Sequence, residues 1–495
     1  MDGHNPRPRH IVIIGGGVIG ITTAYYLTRH PSFNSSIHHI TVLEASSLAA
    51  GASGKAGGLL GLWAYPMCIV PLSYRLHAEL AAEHGGAERW GYRRLACGQL
   101  AATVRKSDLK PKLNGSTPSK LNQVKRRDSC ISTSPIPPPI TPLQQRNGHN
   151  GQGATPQQSP SNGGTPTRVT PVPAPVLPHE YVRQHSRPKT WEKLPKQDDA
   201  AVALLHDSIL PSDLNWINSE LVGEYAEMGL PGYTETAQVH PFQFTTAMAE
   251  LARSGGTDIR IGTHVTNIGL NSSATGVKNV EYLDRATNES SMIHGVTDVV
   301  VAAGPWTGNI IPRTKVQGLR AHSVVFEADV SPYAVFTNIS LPNDYVPPHR
   351  AARGEKKRHK GNVDPEIYAR PGNEVYACGE PDHEIPLPEF ADQVQVDETQ
   401  CDDMVAYIST VSKVLGESKV TAKQACYMPR HMRPGQESTP MMGGTSVDGL
   451  WVAAGHTCWG IQNGPATGKL MSEYIFDGEA KSAEVGDLDP RNFKI

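Results

Sequence analysis

Residues 9–20 read RHIVIIGGGVIG, and the last six letters match the pattern G-x-G-x-x-G. The β-branched run before the glycines predicts a buried strand over 10–14, and the apolar spacing after them predicts a helix over 18–29. A second strand predicted over 40–43 ends at Glu44, whose carboxylate can accept hydrogen bonds from a ribose diol. A glycine turn in this context is typical of a dinucleotide-binding fold.

Each position of the glycine motif has its own physical reason. Gly15 permits the tight turn, Gly17 lets the backbone approach a pyrophosphate, and Gly20 lets the helix pack closely on the strand. The first amides of the helix, at Val18 and Ile19, form a positive helix end that suits an anion. The motif by itself fits both NAD(P) and FAD enzymes.

Three later segments favour FAD. Residues 50–60 read AGASGKAGGLL, a run of small residues that would let the backbone approach a second part of a long cofactor. Residues 301–306 read VAAGPW and end a predicted apolar strand. Residues 449–468 read GLWVAAGHTCWGIQNGPATG and predict a strand, a glycine turn and a helix, with the helix placed over 465–475.

These segments together resemble the FAD-dependent oxidoreductases of the D-amino-acid oxidase/sarcosine oxidase superfamily, and the GASGKAGG run resembles a fungal branch of it. The resemblance covers roughly 9–105 and 200–478. It implies an α/β fold: a doubly wound, Rossmann-type FAD-binding domain with an inserted α+β substrate domain built on an antiparallel sheet. The implied FAD-binding segments are 9–90, 238–316 and 419–480, and the implied substrate-domain segments are 91–110, 191–237 and 317–418.

The resemblance also implies which residues contact FAD beyond the glycine motif. A first group would line the edge of the flavin, namely Ser53, Gly54, Lys55, Ala56 and Gly58. A second group would contact the adenine side and the adjoining strand end, namely Val265, Ala303, Gly304 and Trp306. A third group at the C-terminal turn would face the flavin carbonyl, namely Gly455, His456, Gly460 and Ile461.

Arg370 is the first catalytic candidate, because the family layout places its hairpin opposite the flavin. A guanidinium there could pair with a substrate carboxylate. The alternative is a structural arginine tied to a protein acid such as Glu366 or Glu380. Arg430 and Arg433 are rivals for the carboxylate role.

Lys55 and Trp459 are the other catalytic candidates. Lys55 could stabilise negative charge that develops near the flavin, or it could be a salt-bridged loop lysine. Trp459 could wall the substrate pocket or belong to the core, while Tyr368 and Tyr376 could help through hydroxyl contacts. Cys426 lies where some family members attach the flavin, although an ordinary buried cysteine is the simpler interpretation.

The activity that the resemblance implies is oxidation of the C–N bond of a small amine or amino acid. The oxygen-activating lysine of sarcosine-oxidase-like members has no counterpart at 377–380, which read ACGE, so the sequence leaves oxidase and dehydrogenase open. The sequence leaves two alternatives: an NAD(P)-dependent dehydrogenase, and a non-catalytic flavin-binding protein that docks partners in membrane trafficking.

Composition and charge narrow the other function classes. The chain of 495 residues has 46 basic and 48 acidic residues, which gives no case for nucleic-acid binding. Its 7 cysteines form no CxxC pair, so no metal site is predicted. The N-terminus lacks a signal-peptide pattern and no apolar run predicts a membrane span. A cytoplasmic location is expected, with association with late endosomes as a lesser alternative.

Residues 111–190 differ from the rest of the chain. They hold 15 of the 40 prolines and ten lysines and arginines, but only two acidic residues. Such a composition predicts a disordered insertion, because too little apolar surface is present to offset the chain entropy of folding. The insertion could be a tolerated solvated segment or a site for a protein partner.

Overall fold

The fold is taken from a computed structural model that describes residues 7–109, 210–229, 235–356, 359, 361–432 and 439–495. The predicted insertion over 111–190, most of the predicted segment 191–237, and Arg433 lie outside the described residues. No described helix is both long enough and apolar enough to cross a membrane.

The secondary structure of the described residues alternates between strands and helices. The strands are β1 Arg9–Ile14, β2 His38–Glu44, β3 Leu59–Gly61, β4 Arg93–Arg94, β5 Ala96–Thr103, β6 Val222–Glu227, β7 Thr236–Gln238, β8 Thr257–Ile261, β9 Thr263–Leu270, β10 Val277–Asp284, β11 Glu289–His294, β12 Asp298–Val301, β13 Val316–Glu327, β14 Tyr333–Ser340, β15 Asn362–Val363, β16 Glu366–Arg370, β17 Glu374–Cys378, β18 Lys419–His431, β19 Met441–Gly444 and β20 Leu450–Ala454. The helices are α1 Val18–Leu27, α2 Ala52–Lys55, α3 Val70–His84, α4 Gly86–Trp90, α5 Pro241–Ser254, α6 Thr307–Ile310, α7 Pro348–Ala351, α8 Glu398–Val411, α9 Lys413–Gly416 and α10 Gly460–Asp477.

The first layer is a six-stranded sheet in the order β19-β20-β12-β1-β2-β8. All neighbours are parallel except β19, which runs antiparallel along one edge. β1 is buried on both faces, as its continuous apolar run requires. Its alternate side chains pack in two different cores, Ile11 and Ile13 under the helices and Val12 and Ile14 toward the small sheet β11-β10-β9. The predicted doubly wound sheet is confirmed.

The second layer is an eight-stranded sheet in the order β18-β13-β17-β16-β14-β5-β6, with β15 paired to β14. Its strands are antiparallel except for the β14–β5 pair. The alternation of strand residues gives the sheet two apolar faces: Val375 and Ala377 of β17 join one core, whereas Tyr376 and Cys378 join another. The predicted antiparallel second sheet, including the hairpin over 366–378, is therefore present.

Helices α1 and α10 lie against each other with almost no side chain between them. A Cβ on Gly468 would be 2.5 Å from the carbonyl carbon of Thr22, and a Cβ on Gly464 would be 2.8 Å from Cγ2 of Val18. The hydroxyl of Thr22 donates to the carbonyl of Gly464 at 2.8 Å. This close packing fixes the N-termini of two helices from opposite ends of the chain relative to each other.

Helix α10 begins five residues before the predicted position at Pro465. A proline inside a helix leaves the carbonyl four residues earlier without its amide donor. That carbonyl belongs to Ile461, and it accepts a hydrogen bond from Nε2 of His77 at 2.9 Å instead. Because His77 lies on α3, far away in sequence, local sequence patterns could not reveal that the helix continues through the proline.

The strands of the six-stranded sheet come from three stretches of the chain, 9–44, 257–301 and 441–454. The second sheet is drawn from the intervening stretches. The domain boundaries given above stay a proposal. β18, Lys419–His431, which they assign to the third FAD-binding segment, pairs with β13 of the second sheet.

Substitution of Gly20 tests the packing of α1 on β1. A Cβ at Gly20 would lie 2.1 Å from the carbonyl oxygen of Gly15, and a backbone atom cannot move aside cheaply. We expect Gly20→Ala to lower the free energy of unfolding by about 1–3 kcal/mol. Thermal unfolding measures this, with Gly223→Ala as the control because a Cβ at Gly223 meets nothing within 4 Å. Equal unfolding temperatures for the two variants would contradict the packing described.

Candidate active site

A cavity of about 310 Å3 is lined both by the carboxyl ends of the parallel strands and by residues of the second sheet. Its lining includes the starts of α1 and α10, the ends of β2 and β12, and side chains of β14, β16, β17 and β18. In open α/β sheets ligands bind outside the carboxyl ends of the strands, so the fold itself marks this cavity as the candidate site.

The start of α1 forms one part of the wall. Gly15 has a φ of +117°, a conformation that other residues rarely adopt. Gly17 is the N-cap and supplies no side-chain cap. The amide of Val18 donates to Oγ of Ser53 at 2.9 Å, which ties the segment around α2 to the start of the helix. Ile19 also lines the cavity.

Glu44 lies beside this helix start. One carboxylate oxygen accepts the amide of Gly16 at 2.7 Å, and the other accepts the amide of Ser46 at 2.7 Å. Burial raises the pKa of Glu44, whereas these two hydrogen bonds oppose the rise by favouring the charged form. The carboxylate lines the cavity in a fixed orientation, next to Thr263 and Val265 of β9.

The start of α10 forms the other end of the cavity. Its N-cap is Trp459, which supplies no side-chain cap, and Gly460 and Ile461 line the wall. His456 packs beneath this turn, with Nε2 3.0 Å from Oγ1 of Thr467. Burial lowers the pKa of His456 to about 3, so this imidazole is neutral near pH 7.

The loop between α2 and β3 crosses the middle of the cavity. A Cβ on Gly57 would lie 2.2 Å from the ring of Tyr368, and Gly58 has a φ of +82°. Both positions therefore require glycine, because the loop backbone runs directly against an aromatic ring. Ser53, Ala56 and Gly58 line the cavity.

Arg370 is placed differently from the sequence expectation. Its guanidinium donates to the carbonyls of Ala56 and Gly57 and lies 3.6 Å from the carboxylate of Glu374. It also lies 4.5 Å from the ring centroid of Tyr376. The side chain is buried but does not line the cavity. We infer that Arg370 positions the glycine loop, and that its protein acid is Glu374, not the neighbours Glu366 or Glu380.

Lys55 is also directed away from the cavity. Its Nζ donates to the carbonyl of Ala425 on β18 at 3.0 Å. Cys426, the next residue, does line the cavity. Burial raises the pKa of the Cys426 thiol to about 11, and the charge of Lys55 opposes this rise. Lys55 therefore joins α2 to the second sheet, and its contact with the cavity is indirect.

The structure brings most of the sequence-predicted residues to one wall or another of this cavity. Those that line it are Gly15, Gly17, Val18, Ile19, Glu44, Ser53, Ala56, Gly58, Val265, Ala303, Gly304, Trp306, His456, Trp459, Gly460 and Ile461. Those that do not are Gly20, Gly54, Lys55, Arg370 and Gly455. For the glycines of the second group a packing role is sufficient, since a Cβ on Gly54 would lie 2.4 Å from the carbonyl oxygen of Ala49.

Sequence reasoning missed several lining residues on the second sheet. Phe336, Glu366 and Cys378 all face the cavity. The alternation within β16, which reads EIYAR, could have indicated that Glu366 shares a face with Tyr368. The pairing of Glu366 with Phe336 and Cys378 depends on strand register, which a single sequence does not show.

The cavity fits an extended dinucleotide cofactor that has an aromatic ring system at each end, as FAD does with its adenine and its flavin. Two helix starts open on the same cavity, at Gly17 and at Trp459. Neither N-cap residue supplies a side-chain cap, and the partial positive charge of each helix end favours electron-rich oxygens there. Glu44 lies beside the first start, where a ribose would follow the pyrophosphate. Fold and site together define a two-sheet flavin-dependent oxidoreductase.

Comparison with known proteins gives the family. Residues 10–128 and 179–474 match the family of FAD dependent oxidoreductases known as DAO, and the chain belongs to it. A Saccharomyces cerevisiae protein named "Putative oxidoreductase TDA3" is 36% identical, with 98% of this chain and 94% of the yeast protein covered. FAD is therefore the cofactor, and the NAD(P) alternative is set aside.

Solved structures share the fold at low sequence identity. Glycine oxidase from Geobacillus kaustophilus is 17% identical with a TM-score of 0.56, over 97% of this chain and 98% of that one. L-proline dehydrogenase from P. horikoshii is 14% identical with a TM-score of 0.55, over 99% of this chain and 98% of that one. These likenesses support the fold class.

Gly17→Ala tests the helix start of α1. A Cβ there would lie 3.0 Å from Oγ of Ser53, the end of a side chain that can shift, so we expect the variant to fold. The methyl group would nevertheless occupy the space where a pyrophosphate approaches the backbone. We expect at least about a tenfold loss of FAD affinity, or about 1.4 kcal/mol.

FAD rebinding to apoprotein, followed by flavin fluorescence, measures this loss. Gly486→Ala is the matched control, because a Cβ at Gly486 meets nothing within 4 Å and this residue does not line the cavity. Equal affinities in the two variants would remove the helix start from the cofactor site.

His77 gives a pH prediction. Burial lowers its pKa from 6.5 to about 4, so the unfolded chain binds the proton more readily than the folded chain does. The contribution of His77 to the free energy of unfolding is therefore lost as the pH falls from above 6.5 toward 4. At about pH 5 this loss amounts to about 2 kcal/mol.

His77→Gln keeps a donor for Ile461 and removes the titration. We expect the fall in unfolding temperature between about pH 7.5 and about pH 5 to be smaller in this variant than in the wild type. His383→Gln serves as the control, since His383 is exposed. An unchanged pH dependence in His77→Gln would contradict a buried neutral imidazole.

Proposed function

We propose that this FAD-dependent oxidoreductase oxidises the C–N bond of a small amine or amino acid. The observation that carries the proposal is the wall of the cavity at the start of α10. It consists of Trp459 and of the second-sheet residues Phe336, Tyr368 and Tyr376, all largely buried. When bound, FAD supplies the acceptor for the hydride that leaves the carbon bearing the nitrogen.

The chain's own residues have the remaining tasks of binding, orienting and excluding water. The rings of Tyr368 and Tyr376 lie 5.9 Å apart in a stacked arrangement, and the glycine loop at Gly57 presses against them. Trp459 contacts Trp63 edge-to-face at 5.4 Å. Such an enclosed aromatic wall keeps a small substrate in one orientation and keeps bulk water from the reacting carbon.

Two solved structures with this fold support the proposal of C–N oxidation. They are named glycine oxidase and L-proline dehydrogenase, and both names refer to the oxidation of an amino acid. The proposal covers transfer of electrons to oxygen or to another acceptor. Trp459, Phe336 and Tyr368 all line this cavity, and we expect a small substrate to lie between the second sheet and the start of α10.

Anaerobic bleaching of the bound flavin tests the reaction class. A panel of primary amines, N-methyl amines, amino acids and 2-hydroxy acids is added to the purified holoprotein, and the visible flavin absorbance is followed. We expect at least one C–N compound to bleach the flavin and the 2-hydroxy acids to leave it oxidised. Bleaching by 2-hydroxy acids alone would contradict the proposal.

Trp459→Ala is expected to slow that bleaching by at least about tenfold, since removing the ring opens the wall and lets the substrate adopt unproductive orientations. Phe242→Ala is the control, because Phe242 is an exposed aromatic residue outside the cavity lining. Stopped-flow absorbance measures both rates. A rate in Trp459→Ala equal to that of the control would remove Trp459 from the pocket wall.

A further inference from the structure

The part of the cavity wall formed by the second sheet carries a carboxylate. Glu366 on β16 lines the cavity and is only 7% exposed. Its Oε2 accepts the hydroxyl hydrogen of Tyr368, and the thiol of Cys378 lies 3.8 Å from the same oxygen. Glu366 pairs across the sheet with Phe336, so the carboxylate lies within the aromatic wall.

The electrostatic reach of this carboxylate extends to the start of α10. Burial raises the pKa of Cys458, and the charge of Glu366 contributes to the rise. Burial likewise raises the pKa of Cys378, with Glu366 as the next cause. Phe336, which pairs with Glu366, contacts Trp63, and Trp63 contacts Trp459, so the carboxylate and the start of α10 belong to neighbouring parts of the cavity wall.

Basic side chains are directed elsewhere. Among the described residues that line the cavity there is no lysine or arginine. The guanidinium of Arg370 is held by backbone carbonyls and Glu374, and Nζ of Lys55 is held by the carbonyl of Ala425. His456 is neutral because burial lowers its pKa to about 3. Arg430 does not line the cavity either, so a substrate carboxylate would meet no lysine or arginine on the described walls, whose other basic residues are the histidines His264 and His322.

The aromatic wall is suited to a cation. Phe336 and Tyr368 line the cavity and their rings meet edge-to-face at 5.8 Å, while Trp63, which does not line it, contacts Phe336 edge-to-face at 5.9 Å. An ammonium group is attracted to the faces of such rings, and the attraction grows when water is excluded. A buried ammonium also needs a hydrogen-bonded counter-charge.

We propose that the substrate is a cationic amine with an apolar body and no carboxylate, and that Glu366 accepts the hydrogen bond of its ammonium group. This inference rests on the proposed function, and it selects the amines over the amino acids. A substrate carboxylate would lie near Glu366 and be repelled, whereas an ammonium group would pair with it.

Three compounds of one shape test the charge preference directly. They are tert-butylamine, tert-butanol and pivalate, which carry a positive, a neutral and a negative group on the same tertiary carbon. None has a hydrogen on that carbon, so none can be oxidised there. Each is titrated into the wild-type holoprotein near pH 7.5, and binding is followed by the change in the flavin absorption spectrum.

We expect tert-butylamine to bind at least about tenfold more tightly than tert-butanol, and pivalate to bind more weakly than either. Glu366→Gln should reduce the affinity for tert-butylamine by at least about tenfold and change the affinity for tert-butanol by less than about threefold. Glu289→Gln is the control, because Glu289 is exposed on β11 and does not line the cavity.

Tighter binding of pivalate than of tert-butylamine would overturn the inference, and so would an unchanged amine affinity in Glu366→Gln. If Glu366→Gln does not retain flavin, the inference is judged by the order of the binding affinities of the three compounds for the wild-type protein. Bleaching by amino acids with no bleaching by simple amines would overturn this inference and leave the proposed function standing. Absence of bleaching by every C–N compound, with the predicted binding order intact, would overturn the function and leave the binding inference standing.

Discussion

The contact between α1 and α10 is the constraint on which the site depends. At Gly464 and Gly468 the two helices approach so closely that a Cβ would meet backbone or core atoms of α1, and Thr22 bonds directly to a carbonyl of α10. Since the two helices come from opposite ends of the chain, this contact determines where both positive helix ends lie. The cofactor cavity is the space that those two ends share with the second sheet.

Glycines occupy positions around the cavity where the main chain lies directly against an aromatic ring or against another stretch of main chain. Gly57 lies against the ring of Tyr368, and Gly20 lies against the carbonyl of Gly15. The charged residues Arg370 and Lys55 lie outside the cavity lining. Arg370 donates to the loop between α2 and β3, and Lys55 donates to a backbone carbonyl of β18, so both stabilise the cavity wall without contacting the cavity. The surface left for a substrate is aromatic, with the carboxylate of Glu366 within it.

The parts of the fold that depend on local patterns could be predicted from the sequence. The strand, glycine turn and helix over 9–27 follow from periodicity and from the steric needs of Gly15, and the β16–β17 hairpin follows from its proline-glycine-asparagine turn. Features that depend on distant partners could not be predicted. Helix α10 continues through Pro465, where His77 supplies a donor to the carbonyl of Ile461. Helices α8 and α9 are separated at Ser412, whose hydroxyl donates to the carbonyl of Trp216. The roles of Arg370 and Glu366 likewise depend on strand register and side-chain partners, which the sequence alone leaves open.

A crystal structure of the purified holoprotein with tert-butylamine would show whether two helix starts hold one cofactor and whether the second sheet holds the substrate. We expect the pyrophosphate at the start of α1, the flavin ring at the start of α10, and the ammonium group in hydrogen-bond contact with Glu366. A flavin that lies away from either helix start would contradict the account of the cofactor site, and an amine that lies away from Glu366 would contradict the account of the substrate.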